Sequence, residues 1–374
     1  MLRIAVRNLL HDRMRLAAAL LGVGFSVILV TFQFGLLHRF LKSASAIIDR
    51  SGAPIWITSP GVTNFEYGSI LEERVYTQAL AVPGVARVER LVFVFGRIRI
   101  PSGAYEGCQI IGLDLSKGPL IPWAFKAGSM DDLHQPEAIA IDDTDLEKLG
   151  RPSLGKYIEI NDRRARVVAI THEHRSFIAS PFIFTSLENA YRMSVRLAPG
   201  SFTYLLVTPV PGAELGQVLE GLRRIPGVDA LEASGLAARS QAYWIFRTGA
   251  GFAITLSTVL GFIVGTVIVG QTIYSSTMDR LKEFGTLKAI GASNGDLYRL
   301  ICWQALIYAT FGYALGMAAM VGVARLARWM GSPILVTNAL VAGMLLVTAA
   351  MCILASFLSI ARVTRLEPAM VFKA

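Results

Sequence analysis

Four stretches of the sequence are long and apolar enough to cross a membrane as helices, and none of them contains Asp, Glu, Lys, Arg or His. A spanning helix needs about 20 consecutive apolar residues, because that length matches the hydrocarbon core of a bilayer. The chain is therefore predicted to be an α-helical membrane protein with four transmembrane helices. The stretches are residues 16–37, 248–274, 301–324 and 339–360.

The composition agrees with this prediction, because 53% of the 374 residues are hydrophobic and only 17% are charged. A soluble globular domain normally carries more charge and less apolar surface. The formal net charge of +9 favours no nucleic-acid partner, since the sequence has no lysine-rich arm and no aromatic-basic repeat. The missing charges inside the spans also exclude the usual proton relay of an ion-coupled transporter.

Basic residues beside the spans predict the orientation of the chain. They lie in residues 1–15, 275–300 and 361–374, which we expect to be cytoplasmic, as are both termini. The connection 325–338 is then a short periplasmic loop. Residues 38–247 form the large domain on the far side. A cleaved signal peptide is a poor alternative, because the first apolar stretch is too long for one.

The far-side domain, with its flanking stalk extensions, is predicted to be α+β. Alternating or β-rich runs predict strands, and two stretches, 145–150 and 214–225, predict helices. Residues 80–91 and 222–233 both read as helix, Pro-Gly-Val and strand. This similarity indicates a duplicated α/β unit with an insertion between the copies, although Pro-Gly turns are common enough to arise twice by chance. The predicted strands are 53–58, 91–100, 108–115, 138–142, 156–160, 164–171 and 202–210.

Sequence motifs that would indicate a catalytic or ligand-binding site are weak in this domain. "GRPSLGKY", residues 150–157, lacks the hydroxyl residue that would hold magnesium in a phosphate loop. His172 and His174 lack a third metal ligand, so we interpret them as surface or loop histidines. Residues 142–148 lack the glycine and closing glutamate of a calcium loop, and we interpret them as an aspartate-capped helix start. We predict no catalytic, cofactor or metal site.

The segment "DRLKEFGTLKAIGASNGDLYRL", residues 279–300, lies between the second and third spans. Its apolar residues recur every third position, which predicts a short amphipathic helix. Gly291 is placed to end that helix, and Ser293 with Asp296 resembles a capping box that starts the next one. The pattern leaves lipid headgroups and a protein as equal alternatives for what the helix contacts. The recurring residues are Leu281, Phe284, Leu287 and Ile290.

"RLKEFGTLKAIGAS" resembles the cytoplasmic signature of the FtsX/MacB-type permeases of ABC systems. "AVRNLLHDRMRLAAALLGVGFSV" and "ARVTRLEPAMVFKA" resemble the N-terminus and C-terminal tail of that family, and the order of one span, a large domain and three spans is the same. Within the family, the first span looks most like the DevC branch.

The resemblance implies a bacterial inner-membrane subunit that is not itself an enzyme and holds no cofactor. A separate ABC ATPase would bind ATP and Mg, and two copies of the permease would pair as a homodimer in the lipid bilayer. A periplasmic adaptor and an outer-membrane channel are the expected further partners. The alternatives are a permease that releases lipoproteins or activates a cell-wall hydrolase, and a sensor that works without an ATPase.

By position, the resemblance makes one cytoplasmic stretch the coupling helix that docks on the ATPase. Phe284 stands where the family usually has isoleucine. Two G-x-x-x-G patterns, Gly261 with Gly265 and Gly312 with Gly316, allow close helix contact either with another subunit or within this chain. The implied docking residues are Arg280, Glu283, Phe284, Gly285, Leu287, Lys288, Gly291 and Ala292.

Overall fold

The computed structural model describes residues 13–117, 121–122, 124–172, 174, 180–194, 197–279, 285–288, 290–329 and 334–364. The chain divides into two compact units, one formed by residues 1–39 with 249–374 and the other by residues 40–248. Among the described residues, four helices are long and apolar enough to cross a membrane, which confirms the predicted number.

The helical unit contains four long helices. They are α1 (Arg13–Ala44), α7 (Gly249–Met278), α8 (Asn294–Trp329) and α9 (Asn338–Thr364). Each is longer than the apolar stretch that predicted it, because hydropathy marks the part that suits a bilayer and polar flanks continue the same helix. A core from all four helices includes Val23, Ile273, Tyr308 and Cys352. Large apolar side chains such as Val267, which is 63% exposed, point outward and suit a lipid environment.

The Gly312–Gly316 pattern on α8 packs against α1. A Cβ at Gly312 would lie 2.6 Å from Val23 Cγ1, and one at Gly316 would lie 2.7 Å from the carbonyl oxygen of Gly24. Atoms cannot approach so closely, so only glycine permits this backbone contact. The pattern therefore makes a contact within the subunit.

The Gly261–Gly265 pattern on α7 packs against the same helix. A Cβ at Gly261 would lie 2.8 Å from Gln33 Cγ, and one at Gly265 would lie 2.7 Å from Val30 Cγ2. Both glycine pairs thus bring neighbouring helices onto α1. Of the two alternatives that the sequence left open, the structure favours packing within the chain.

The second unit is a ten-stranded mixed sheet with helices on both faces. Its helices are α2 (Ala46–Arg50), α3 (Glu73–Leu80), α4 (Leu187–Met193), α5 (Leu215–Arg223) and α6 (Ala233–Phe246). The strand order is β10-β1-β9-β2-β3-β8-β5-β7-β4, and β6 pairs with β2 and β7. The strands are β1 (Ile55–Thr58), β2 (Val85–Arg99), β3 (Tyr105–Leu113), β4 (Phe125–Ala127), β5 (Ala138–Asp142), β6 (Tyr157–Ile160), β7 (Arg163–Thr171), β8 (Phe182–Ser186), β9 (Tyr204–Pro209) and β10 (Asp229–Glu232).

The first four strands of that order come from two interleaved units, β1-α3-β2 and β9-α5-β10. Strand β9 lies between β1 and β2, and β1 lies between β9 and β10, with antiparallel pairing throughout. This is the split β-α-β arrangement of ferredoxin-like folds. In each unit a Pro-Gly-Val turn follows the helix and leads into the next strand. The glycines of these turns, Gly84 (φ +85°) and Gly227 (φ +80°), both have a left-handed backbone conformation. The predicted helix, turn and strand repeat is present in both copies, with β3 to β8 inserted between them.

The sheet separates two hydrophobic cores, because successive side chains on a strand point to opposite faces. Ile55 and Ile57 of β1 lie in the core beneath α3, α4 and α5. Trp56 lies in the core beneath α2 and α6, where its ring packs at 5.7 Å from Tyr204 and 5.9 Å from Phe65. Burial on both faces explains why the strands read as nearly continuous apolar runs.

Two local predictions are wrong. Residues 145–150, predicted as a helix, form a series of turns, and residues 142–148, interpreted as an aspartate-capped helix start, are the end of β5 followed by the same turns. The reason is local: the Asp142 side chain accepts from the backbone N–H of Thr144, and Gly150 and Arg151 both take positive φ, which an α-helix does not allow. Strands β4 and β8 were not among the predicted strands.

Candidate functional site

The described part of the predicted coupling segment is a helical turn that ends in a left-handed glycine. Residues Gly285–Lys288 are helical, while Arg280, Glu283 and Phe284 lie outside the described residues. The Ala292 N–H donates to the Leu287 carbonyl at 3.0 Å, and the Gly291 N–H donates to the Lys288 carbonyl at 3.1 Å. These two bonds form a Schellman motif, which requires a left-handed residue after the helix. Gly291 supplies it with φ +104°.

Ser293 and Asp296 then start helix α8 as a reciprocal pair. The Asp296 N–H donates to Ser293 Oγ at 3.2 Å, and the Ser293 N–H donates to Asp296 Oδ2 at 3.2 Å. This is the capping box that the sequence predicts, with aspartate in place of the usual glutamate. The stop at Gly291 and the start at Ser293 are two residues apart. The direction of the segment is therefore closely tied to that of α8.

Two residues of the apolar stripe, Leu287 and Ile290, have different environments. Leu287 packs against a small core formed by Leu297, Leu300 and Ile301 of α8. Ile290, three residues further on, is 80% exposed. One apolar side chain thus anchors the turn to its own subunit and the next is left for a different surface. Sequence periodicity placed Ile290 on the stripe but did not single it out as a candidate contact.

The other predicted docking residues have varied environments. Gly285 is buried, Lys288 and Ala292 are half-buried, and Gly291 is exposed. A Cβ on Gly291 would meet no atom within 4 Å, so its backbone conformation, and not the available space, requires glycine there.

The histidines of the α+β unit lie in a loop, as interpreted from the sequence, but they differ in burial. They follow β7 in a loop, where His172 is 56% exposed but the side chain of His174 is fully buried. Its Nδ1 lies 3.3 Å from Asp142 Oδ2, and its backbone N–H donates to the same oxygen at 2.9 Å. His174 is thus part of a buried polar cluster.

Asp142 is the centre of this cluster. Thr144 and Thr171 donate their hydroxyls to its carboxylate at 2.7 and 3.0 Å. Burial disfavours the ionised carboxylate, but hydrogen bonds from His174 and Thr144 outweigh that cost and lower the pKa of Asp142 to about 2. Since every partner is a donor within the fold, the cluster fastens the loop after β7 to the end of β5.

A second pair lies beside it at the surface. His172 Nδ1 lies 2.9 Å from Asp143 Oδ2, and Lys126 Nζ lies 3.0 Å from the same oxygen. No group of three or more His, Cys, Asp or Glu side chains within the described ranges is arranged to hold a metal ion. The geometry of these histidines is that of structural hydrogen bonds to aspartate.

Two family models match the chain. The MacB-like periplasmic core domain matches residues 16–225, and the FtsX-like permease C-terminal domain matches residues 255–368. The first match alone covers more than half of the sequence. The chain belongs to the FtsX/MacB-type ABC transporter permeases. The second match includes the described residues of the predicted coupling segment, and the two matches confirm the resemblance at family level.

Relatives that align with the whole chain of the permease occur in mycobacteria. An uncharacterized ABC transporter permease of Mycobacterium tuberculosis is 26% identical over 378 residues, with 100% of this chain and 99% of that protein aligned. One from Mycobacterium bovis is 25% identical with the same coverage.

Solved structures resemble the α+β unit of the permease. The periplasmic region of MacB from Actinobacillus actinomycetemcomitans aligns with a TM-score of 0.39 and 11% identity, covering 52% of this chain and 94% of that one. The extracellular domain of the transporter YknZ from Gram-positive bacteria aligns with a TM-score of 0.37 and 12% identity, covering 48% and 100%.

We expect Ser293→Ala to loosen the start of α8 in this permease. The substitution leaves the Asp296 N–H without its acceptor, and loss of such a cap costs about 1 kcal/mol. Amide exchange of residues 294–300 should accelerate several-fold. Ser293→Thr keeps both the acceptor and the hydroxyl that donates to Asp296, and it serves as the control. Equal exchange in the alanine variant and the parent would contradict the capping role.

Proposed function

We propose that this permease receives ATP-driven motion from a separate ABC ATPase through residues 285–292 and passes it to its α+β unit. The observation that supports this most directly is the division of the apolar stripe. Leu287 fixes the turn to α8 while Ile290, 80% exposed, is presented outward. An exposed isoleucine beside a rigid turn suits a hydrophobic pocket on a partner.

Motion of the docked turn would be carried by two rigid links. The first is the short connection from Gly291 to Ser293, where a Schellman motif meets a capping box. The second is α8 itself, 36 residues and about 50 Å long, which packs on α1 through Gly312 and Gly316. Helix α1 continues to Ala44, and the α+β unit begins at residue 40. Displacement of α8 would thus reach the α+β unit through α1.

The complete assembly that we propose has two copies of the permease and two ATPases, which bind ATP and Mg. The α+β unit is proposed to lie in the periplasm of an inner-membrane protein and to work with an adaptor and an outer-membrane channel in export. The four described spans contain no Asp, Glu, Lys, Arg or His within residues 16–37, 248–274, 301–324 and 339–356. Work done by hydrolysis in a partner fits this composition better than ion coupling.

The docking role is tested by co-purification of the ATPase with the full-length permease. Ile290→Asp places a charge where the partner pocket is apolar, so ATPase recovery should fall at least about tenfold. Leu154→Asp is the matched control, because Leu154 is an exposed apolar residue (46%) of the α+β unit. Its ATPase recovery should equal that of the parent.

Undiminished ATPase recovery with Ile290→Asp would contradict the docking role and would leave lipid headgroups as the contact of Ile290. Glu283→Lys, at a docking position implied by family resemblance, extends the same test.

A further inference from the structure

An amphiphilic cleft lies on the surface of the α+β unit, on one side of helix α6. Its volume is about 580 Å³. One wall is α6 and the other is the loop of residues 61–63. Nothing in the proposed docking on an ATPase uses it. The lining residues are Gly61, Val62, Thr63, Arg239, Ala242, Tyr243, Phe246 and Arg247.

The lining residues of α6 recur with helical spacing. Residues 239, 242, 243 and 246 lie at positions i, i+3, i+4 and i+7, which share one face of a helix, and Arg247 follows directly after its last turn. An adjacent face supplies Leu236, Ala237 and Ser240 to the interior. Helix α6 thus has a buried face of small and aliphatic residues and an exposed face of arginine and aromatic residues.

The exposed face combines apolar surface with ordered rings. Phe246 is 79% exposed. Tyr243 packs at 5.6 Å from Tyr67 and 5.9 Å from Trp244, both edge to face. An exposed phenylalanine beside fixed aromatic rings is costly in water unless another apolar group covers it.

The charge in the cleft is positive. Arg239 Nη1 lies 3.5 Å from Asp229 Oδ2, so its charge is partly compensated. The same Asp229 oxygen also accepts a hydrogen bond from the Gly61 N–H at 3.1 Å, so it is shared between two donors. Arg247 makes no ion pair with any residue that the structure describes. The lining contains two guanidinium groups and no carboxylate.

Chain connectivity places the Arg247 end of this cleft close to the start of a predicted membrane span. Arg247 is two residues before Gly249, where the apolar helix α7 begins, and two residues span at most about 7 Å. Aromatic and arginine side chains are typical of the boundary between water and the hydrocarbon core. A ligand at this depth can place an anionic group in water and an acyl chain in the bilayer.

We propose that this cleft binds an anionic glycerophospholipid, with its phosphate between Arg239 and Arg247 and its upper acyl chain against Phe246. Guanidinium groups bind phosphate through paired N–H donors, which favours arginine over lysine for this contact. Gly61 leaves open space in the lining of the cleft, since a Cβ there would meet no atom within 4 Å. This inference is independent of the ATPase and of any adaptor.

Native mass spectrometry of the full-length protein in detergent tests the proposal, with phosphatidylglycerol and phosphatidylcholine added at equal concentration. The parent should retain phosphatidylglycerol preferentially. Arg239→Gln and Arg247→Gln should each reduce that retention about fivefold, as expected for one cation near a membrane surface. Phe246→Ala should reduce retention of both lipids alike. Arg224→Gln, at an exposed arginine outside the cleft, should change neither.

Three outcomes would overturn the proposal. The first is equal retention of the two lipids by the parent protein. The second is an equal loss with Arg224→Gln, which would indicate general surface charge. The third is a changed ratio of monomer to dimer in the cleft variants with unchanged lipid retention, which would make this face a contact between two copies of the chain.

Discussion

Gly316→Leu should lower the free energy of unfolding of the permease by about 2–3 kcal/mol, the range expected for overpacking a closely packed site. A side chain at this position meets the carbonyl oxygen of Gly24 at 2.7 Å and Val27 Cβ at 2.8 Å. The carbonyl is backbone and cannot rotate away. The two helices must therefore separate, and the contacts along α1 are lost with them.

Gly322→Leu is the matched control, because Gly322 lies on the same helix and a Cβ there meets no atom within 4 Å. Unfolding of the full-length protein in detergent, followed by far-ultraviolet circular dichroism, compares the two variants. Equal stability of both would show that the contact between α8 and α1 does not hold the helical unit together. If α8 also carries motion, ATP hydrolysis by the assembled complex should fall with Gly316→Leu and not with Gly322→Leu.

Asp142→Ala should destabilise the α+β unit by about 3–5 kcal/mol, as expected when one partner of a buried polar network is removed. The substitution leaves the buried side chain of His174 and its backbone N–H without their acceptor, together with the hydroxyl of Thr171. Amide exchange of residues 138–142 and 163–171 in the full-length protein should become faster. Glu147→Ala removes a carboxylate that is 83% exposed and should change stability by less than about 0.5 kcal/mol.

The same carboxylate predicts the response of the α+β unit to acid. The pKa of Asp142 is about 2 in the fold and 3.8 in its ordinary state. A lowered pKa stabilises the fold at pH values above the ordinary pKa, and the contribution is lost as the pH falls from about 4 to 2. The parent should therefore lose stability over this range more steeply than Asp142→Ala. Parallel pH profiles would contradict the role of Asp142.

Local patterns predicted the parts of the fold that depend on local interactions. The stop at Gly291 and the box of Ser293 with Asp296 involve neighbours within five residues, and both were readable from the sequence. The repeated Pro-Gly-Val turns predicted two α/β units. The strand order of the sheet could not be predicted from either unit alone, because strands of the two units pair with each other. Strand β8 was not predicted because its place in the sheet depends on pairing with β3 and β5, which are distant from it in the sequence.

Some features of the candidate site could not be predicted, because they depend on contacts that local sequence patterns do not reveal. The burial of His174 depends on Asp142, 32 residues earlier, and a histidine in a polar loop carries no local sign of such a partner. Leu287 and Ile290 occupy the same apolar stripe, yet one packs on α8 and the other does not. The direction of a side chain at the edge of a stripe is set by the neighbouring helix, which periodicity alone does not locate.

The interleaved strands have a consequence for how this protein can change over evolutionary time. The chain enters the sheet by β1 and leaves it by β10, and these strands are neighbours, with Ile55 opposite Glu232. The two strands at which the chain enters and leaves the domain are thus held together by one antiparallel pair. Strands β3 to β8, in contrast, lie between β2 and β9 in the sequence. Insertions, deletions or whole substitutions in that outer region leave the attachment geometry unaltered. Related proteins can therefore differ in that region while β1 and β10 keep their arrangement.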